Sequence, residues 1–235
     1  MHHPAFFAGL QMLDFTPPQV QALGMATPTD PSPDLDAAYG LHSPSDSVRL
    51  YRAWAASYDS GFAQRTGYLL PGHVAGAFVE AGGQGPVLDV GAGTGLLAAR
   101  LADFSVSPVD GVDISAEMLT EAIAKSVYRQ TFLADLTAPL PMADSGYCGI
   151  VSSGTFTQGH VGPAAFDELL RIAAPGAVFA LSINVAVFKP CGFADKLDAL
   201  TEQICRVTLT EAPIYAAPDP DHAADRAMIL CFTKR

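Results

Sequence analysis

Short apolar runs of strand length alternate along this chain with stretches whose apolar residues recur every three or four positions. The first clear run ends near Asp89, and Ser107 to Val112, Gln130 to Ala134, Cys148 to Ser153 and Ala177 to Ile183 predict four more strands. Between them, helical spacing predicts a helix from about Thr94 through Leu101 and another from Phe166 to Ala174, the latter stopped by Pro175-Gly176. Strands alternating with helices argue for an α/β fold, a mainly parallel sheet covered by helices on both faces. The last two strand signals, Val207 to Tyr215 and Arg226 to Thr233, have no helix between them and should pair antiparallel at the sheet edge. Phe193, Leu197, Leu200 and Ile204 predict a helix from Phe193 to Arg206 just before them. Upstream, Val48, Tyr51, Ala55 and Tyr58 predict a helix from Ser45 to Tyr58, with Ser45 as its N-cap.

With 235 residues, 49% of them hydrophobic, the chain can bury one substantial core. A single domain over residues 43–235 is expected. Residues 1–42 carry many prolines and small polar residues, including Thr27-Pro28-Thr29-Asp30-Pro31-Ser32-Pro33, and read as a loosely ordered arm.

The stretch that carries most chemistry is Leu88-Asp89-Val90-Gly91-Ala92-Gly93-Thr94-Gly95, where an apolar strand enters three alternating glycines and then a helix. Glycine tolerates positive φ and has no Cβ, so this backbone can bend tightly and lie against a ligand. The following helix points unpaired N–H groups at the same place. A dinucleotide fingerprint needs G-x-G-x-x-G, but counted from Gly91 its last position is Leu96, and the third glycine arrives one place early at Gly95. Asp89, two residues before the first glycine, would repel a pyrophosphate and attract an ammonium or sulfonium. The pattern Asp-x-Gly-x-Gly-x-Gly resembles motif I of the class I, Rossmann-like, S-adenosylmethionine-dependent methyltransferases.

Asp113 closes the second strand, where a carboxylate can accept both ribose hydroxyls. The resemblance implies more: a doubly wound, mainly parallel seven-stranded sheet with an antiparallel last strand, and S-adenosyl-L-methionine as cofactor. It also implies that Asp135, at the end of the third strand, takes the adenine amino group, and that Ala92, Ile114, Leu136 and Ser152 complete the cofactor site. The loop Gly154-Thr155-Phe156-Thr157-Gln158-Gly159-His160 faces the transferable methyl in this class. Together with the run Tyr51-Arg52-Ala53-Trp54-Ala55-Ala56-Ser57-Tyr58-Asp59 and Tyr68, it is most similar to the methyltransferase family named for the Williams-Beuren syndrome chromosome region. That likeness runs from about residue 48 to the C-terminus and implies lid helices over about 45–82. Cys148 departs from it, standing where the class commonly opens the fourth strand with Asp.

Methyl transfer needs alignment of donor and acceptor more than it needs a strong base. If a proton must be taken, His160 is the first candidate, because imidazole titrates near neutrality, and Tyr58 the second. Trp54, Tyr68, Phe156 and Phe188 are candidates for the walls of an apolar acceptor pocket.

A formal charge of −11 disfavours nucleic acids and anionic membranes, leaving a small-molecule acceptor. The four cysteines are widely spaced, with no C-x-x-C, and indicate neither a zinc site nor a disulfide framework. Ala5 to Leu13 fails as a signal peptide, having no basic start, and no segment has the apolar length to span a bilayer, so a reduced cytoplasmic setting is expected. Two other readings stay open at this point. One is an NAD(P)-dependent oxidoreductase, against which the glycine spacing and Asp89 argue; the other is a protein that binds S-adenosylmethionine without turnover.

Overall fold

The computed structural model describes residues 44–157, 161–216, 222 and 224–235. Seven strands form one sheet: β1 (Val87–Val90), β2 (Val109–Asp113), β3 (Thr131–Leu133), β4 (Tyr147–Phe156), β5 (Ala173–Asn184), β6 (Ile204–Pro213) and β7 (Arg226–Lys234). Their spatial order is β3-β2-β1-β4-β5-β7-β6. The first five run parallel, and β7 is antiparallel to both β5 and β6. This is the Rossmann-like architecture that the resemblance implied, on the mainly parallel sheet that the alternating pattern predicted. The order reverses between β1 and β4, so a crevice opens beyond the carboxyl ends of these strands, where ligands of open α/β sheets bind.

Side-chain alternation along each strand divides the core in two. Leu88, Ile150, Phe179, Leu181, Leu230 and Phe232 face one side, where α5 (Ala165–Ile172) and α6 (Phe193–Ala199) cover them. Val87, Val151, Val178, Ala180, Ile229 and Cys231 face the other, under α2 (Leu70–Glu80) and α3 (Leu96–Asp103). The helix before the core is α1 (Pro44–Trp54), and α4 (Ala116–Ala124), capped by the Ser115 hydroxyl, follows β2.

Among the boundaries that differ from the expected ones, four change the picture. The first helix ends at Trp54, and the chain continues as a tight turn over Ala55–Ser57 and a wide, π-type turn over Tyr58–Ala63. The helix expected to reach Arg206 stops at Ala199; Ile204 keeps its helical spacing from Leu200 yet is buried as the first residue of β6, where β-branched residues fit the pleat. Strand β5 begins at Ala173, ahead of Pro175-Gly176, because that pair is accommodated in an irregularity between Tyr147↔Ala173 and Gly149↔Val178. Finally, β4 runs past Ser153 to Phe156, with a second irregularity between Ser152 and Phe156. This bulged end brings residues 153–156 into the crevice.

Phe78 on α2 is fully buried, and its ring occupies the space that a Cβ at Gly83 or Gly149 would need. Phe78→Ala should therefore leave a cavity between α2 and β4 and cost about 3–5 kcal/mol of unfolding free energy, read by urea denaturation; a loss under about 1 kcal/mol would mean that this contact does not hold the helix to the sheet.

Candidate functional site

The glycine turn adopts the backbone it was expected to need, with φ of +71° at Gly91, +52° at Gly93 and +85° at Gly95. The last of these starts α3 in the left-handed region. Close approach adds a second constraint at Gly91, since a Cβ there would collide with the Thr155 hydroxyl. At Gly93 nothing lies within 4 Å of where a Cβ would be, because this residue faces open space. The turn is fixed to β2 by side chain and backbone together. Gly91 and Ala92 donate their N–H groups to Val112 O at 2.9 Å, and the Asp113 carboxylate accepts from Gly93 N at 2.8 Å and Ser115 N at 2.8 Å.

A cavity lies over this turn. Gly91, Ala92, Gly93, Asp113, Ile114, Asp135 and Leu136 line its floor and side, and Ser153, Gly154 and Thr155 come in from the end of β4. Tyr51, Tyr58 and Tyr68 form its roof. The roof is latched to the floor: Asp59 accepts from the Thr94 hydroxyl at 2.6 Å and pairs with Lys125, whose ammonium also donates to Thr94 O at 2.7 Å. Arg52 of α1 adds an ion pair with Glu117 of α4 at 2.7 Å.

A second chamber adjoins the first and shares Tyr51, Tyr58, Tyr68 and Gly154 with it. Phe62, Phe156 and Tyr215 supply most of its further aromatic wall, and Thr157, Ser182 and Asn184 its other polar groups. Tyr215 reaches the chamber because residues 214–216 pair with 67–69, through Leu69 N to Ile214 O and Ala216 N to Gly67 O, both 2.9 Å. Gly154, at φ +78°, lies beneath the Tyr68 hydroxyl, which occupies the position that a Cβ would take. The junction of the two chambers is therefore set by a residue without a side chain.

Burial governs the electrostatics. Asp89 is 1% exposed, and burial pushes its carboxyl up to about 7, a shift reduced by the hydrogen bond from the Tyr128 hydroxyl at 2.7 Å and increased by Asp113 nearby. Its other oxygen, Oδ1, is buried with no hydrogen-bond partner among the described residues. Burial also raises Asp113, against the pull of the backbone N–H donors at Ser115, Gly93 and Ile114. Tyr58 and Tyr68 are held well above the ordinary phenol range, first by burial and then by neighbouring tyrosines and carboxylates.

The structure brings most of the expected site residues together. Gly91, Ala92, Gly93, Asp113, Ile114, Asp135 and Leu136 share the first cavity, with Asp89 and Gly95 supporting its turn. Asp135 also accepts from Thr137 N at 2.8 Å through Oδ1, so one of its oxygens holds a turn. Ser152 is placed in the core beneath the site, donating to Val90 O at 2.7 Å, and the neighbouring Ser153 lines the cavity instead. Tyr68 and Phe156 are wall residues. Trp54 and Phe188 are buried away from both chambers, Trp54 stacked on Phe62 and Phe188 on the turn after β5. Tyr58 lines both chambers but holds its proton too tightly to act as a base near neutrality. His160 lies outside the described residues.

Residues 87–176 match a family model described as a methyltransferase domain. The fold is that of a class I methyltransferase. Human methyltransferase-like protein 27 is 30% identical over 151 residues, 62% of this chain and 61% of the relative. Malonyl-[acyl-carrier protein] O-methyltransferase of Geobacter sulfurreducens is 35% identical over 101 residues, 41% of this chain and 38% of the relative. The chain thus spans less than two thirds of the length of either relative. Among solved structures, magnesium protoporphyrin IX methyltransferase of Synechocystis PCC 6803 with bound S-adenosylmethionine superposes with a TM-score of 0.50 at 21% identity, over 70% of this chain and 78% of that one.

The cradle over the glycine turn fits S-adenosylmethionine, the cofactor expected from the Asp-x-Gly-x-Gly-x-Gly pattern. Space over Gly93, where a Cβ would protrude, admits a ligand against the backbone, and the unpartnered buried oxygen of Asp89 suits a cation. A pyrophosphate in this cavity would meet the carboxylates of Asp113 and Asp135.

Two outcomes follow. A carboxyl whose folded pKa lies above its unfolded value stabilises the fold while protonated, so this contribution is present at low pH and is lost as the pH rises from the ordinary carboxylate range through about 7. Without cofactor, the melting temperature should fall less between pH 5 and pH 8 in Asp89→Asn than in the native chain; equal slopes would remove Asp89 as the cause. Asp59→Ala should release the roof, weakening S-adenosylhomocysteine binding by about fivefold or more in calorimetry and speeding proteolysis within 44–66. Unchanged binding and cleavage would show that the latch does not hold the roof.

Proposed function

We propose that this chain transfers a methyl group from S-adenosylmethionine to a small-molecule acceptor, the donor occupying the cavity over the glycine turn and the acceptor the aromatic chamber beside it. The observation that carries this reading is the meeting of the two chambers at Gly154 and Tyr68. In such a transfer the sulfonium supplies an activated methyl, and the protein aligns the reactants and excludes water, which can remove about 7–11 kcal/mol of barrier in favourable cases.

Each part of the site has a role in this arrangement. Asp113 holds the ribose hydroxyls while keeping the turn closed through Gly93 and Ser115. The free oxygen of Asp135 holds the adenine end, and Ile114 and Leu136 flank the ring. Asp89, once ionised, offsets the positive charge of the donor's amino-acid end. The tyrosine roof closes over the methyl and keeps water out. A small acceptor suits a narrow, aromatic-walled chamber and a chain of net charge −11, which repels polyanions.

The finer assignments belong to the same proposal. They are a functional domain over 43–235 with residues 45–82 as its lid, kinship with the Williams-Beuren family, and a cytoplasmic setting. Among the described residues no helix is long and apolar enough to cross a membrane. The relatives support a methyltransferase reading by their names, and one of them is named for a carrier-bound malonyl acceptor.

The direct test is incubation with isotopically labelled donor and cell extracts, where label should appear in a low-molecular-weight product. Label confined to protein or nucleic acid would contradict the acceptor class, and donor binding with no labelled product across many extracts would favour binding without turnover. Asp113→Ala should weaken S-adenosylhomocysteine binding by about tenfold or more, the scale of one lost charge-assisted hydrogen bond, measured by calorimetry. Unchanged affinity would refute its ribose role.

A further inference from the structure

We infer that Tyr128 is a positioning residue of the donor site, lodged beneath the glycine turn where its hydroxyl ties down the Asp89 carboxylate, so that the charge of Asp89 acts on the amino-acid end of the donor. The inference rests on the donor reading above. Tyr128 precedes β3 and lines neither chamber. Its hydroxyl donates to Asp89 Oδ2 at 2.7 Å and lies 3.4 Å from the carbonyl oxygen of Ala92. The first contact fixes a buried carboxyl group, and the second reaches the backbone of the turn itself.

Two glycines make the slot that this ring fills. Gly111 is the partner of Asp89 across β1 and β2, and a Cβ there would stand 3.0 Å from the Tyr128 ring. A Cβ at Gly95 would stand 3.3 Å from the same ring and 2.9 Å from the Val127 side chain. Side chains at these two positions would push the ring away from Asp89, so Gly95 serves the packing below the turn as well as its bend. Neighbouring contacts hold the segment in place. Arg129 N donates to Val109 O at 2.7 Å and its guanidinium pairs with Asp110 at 2.6 Å, while Lys125 donates to Thr94 O at 2.7 Å.

The contact has an electrostatic consequence. Burial, and then the neighbouring Asp89, hold the Tyr128 phenol well above its ordinary range, so it keeps its proton and acts as the donor. A hydrogen bond given to a carboxylate favours the charged form, and this one opposes the rise that burial imposes on Asp89. Among the described residues the other titratable groups that face Asp89 are Asp113, at the end of β2, which disfavours its charge, and Tyr68, ahead of α2, whose proton that charge helps to hold. The ion pair of Lys125 with Asp59 meets the same turn at Thr94. Asp113 and Tyr68 both line the donor cavity, so a cation lying there feels the Asp89 charge as they do. Without the Tyr128 hydroxyl, Asp89 would ionise at higher pH and attract the donor's ammonium only there.

The test is calorimetry on the full chain between pH 6 and pH 8.5 with two ligands, S-adenosylhomocysteine, which carries the ammonium, and 5′-methylthioadenosine, which lacks the amino-acid end. S-adenosylhomocysteine should bind about fivefold or more tightly at pH 8 than at pH 6, and methylthioadenosine with affinities within about twofold of each other. Tyr128→Phe keeps the ring in its slot and removes the hydroxyl. It should move the midpoint of the S-adenosylhomocysteine profile up by about one pH unit or more, the scale of one hydrogen bond to a charged group, with affinity recovering towards the native value at pH 8.5. Asp89→Asn should flatten the profile, and Tyr128→Phe added to it should produce no further change. A flat native profile, the same profile for methylthioadenosine, a loss in Tyr128→Phe that is equal at every pH, or a Tyr128→Phe chain that does not fold would overturn the inference. Failure of the native chain to bind S-adenosylhomocysteine at any pH would instead strike at the donor reading itself.

Discussion

One carboxylate organises the site. Asp113 stands at the end of β2 and accepts N–H groups from Gly93, in the glycine turn, and from Ser115, at the start of α4. Three glycines at positive φ make a turn that is flexible by composition, and an unpinned turn would have little reason to stay concave. The hydrogen bonds from Gly91 and Ala92 to Val112 O fix the same loop from the backbone side. Burial raises Asp113 and the amide donors work against that rise, so the carboxyl group and the turn that it organises support one another. The turn, the first cavity and the position of α3 all follow from this arrangement.

The roof depends on a second set of polar contacts. Asp59 lies in the wide turn after α1, where it meets Thr94 and Lys125, one on the glycine turn and the other at the end of α4. Exposed ion pairs hold little individually, so the aromatic packing of Trp54, Tyr58, Phe62 and Tyr68 beneath the latch must contribute much of the closure. The bulged end of β4 then divides the space beneath it at Gly154, which gives the two chambers a shared boundary.

The sheet was readable because its strands alternate cleanly between two buried faces and its glycine turn has few structural meanings. Asp89, Asp113 and Asp135 were readable for a related reason, since each lies within two residues of the carboxyl end of a strand, where topology puts ligands. The acceptor side was less legible. Tyr215 is far from Tyr68 in sequence, and only the pairing of 214–216 with 67–69 joins them. Asp59 and Lys125 gave no spacing signal, because their contact depends on how α1 crosses α4. Trp54 and Phe188 have the residue types of a pocket wall, yet they serve as core, and a one-residue difference in strand phase separates buried Ser152 from Ser153 at the cavity wall. Periodicity finds faces within an element; which face meets a cavity is decided by packing between elements.

The account centres on one placement, a sulfonium cofactor lying over Gly93 with its methyl end toward Tyr68. A crystal structure of the protein with bound S-adenosylhomocysteine tests it most directly. The ribose hydroxyls should lie on Asp113, the amino-acid end near the glycine turn, and the sulfur at the boundary of the two chambers. Density for the ligand elsewhere, or with its sulfur turned away from the tyrosine-lined chamber, would contradict the account.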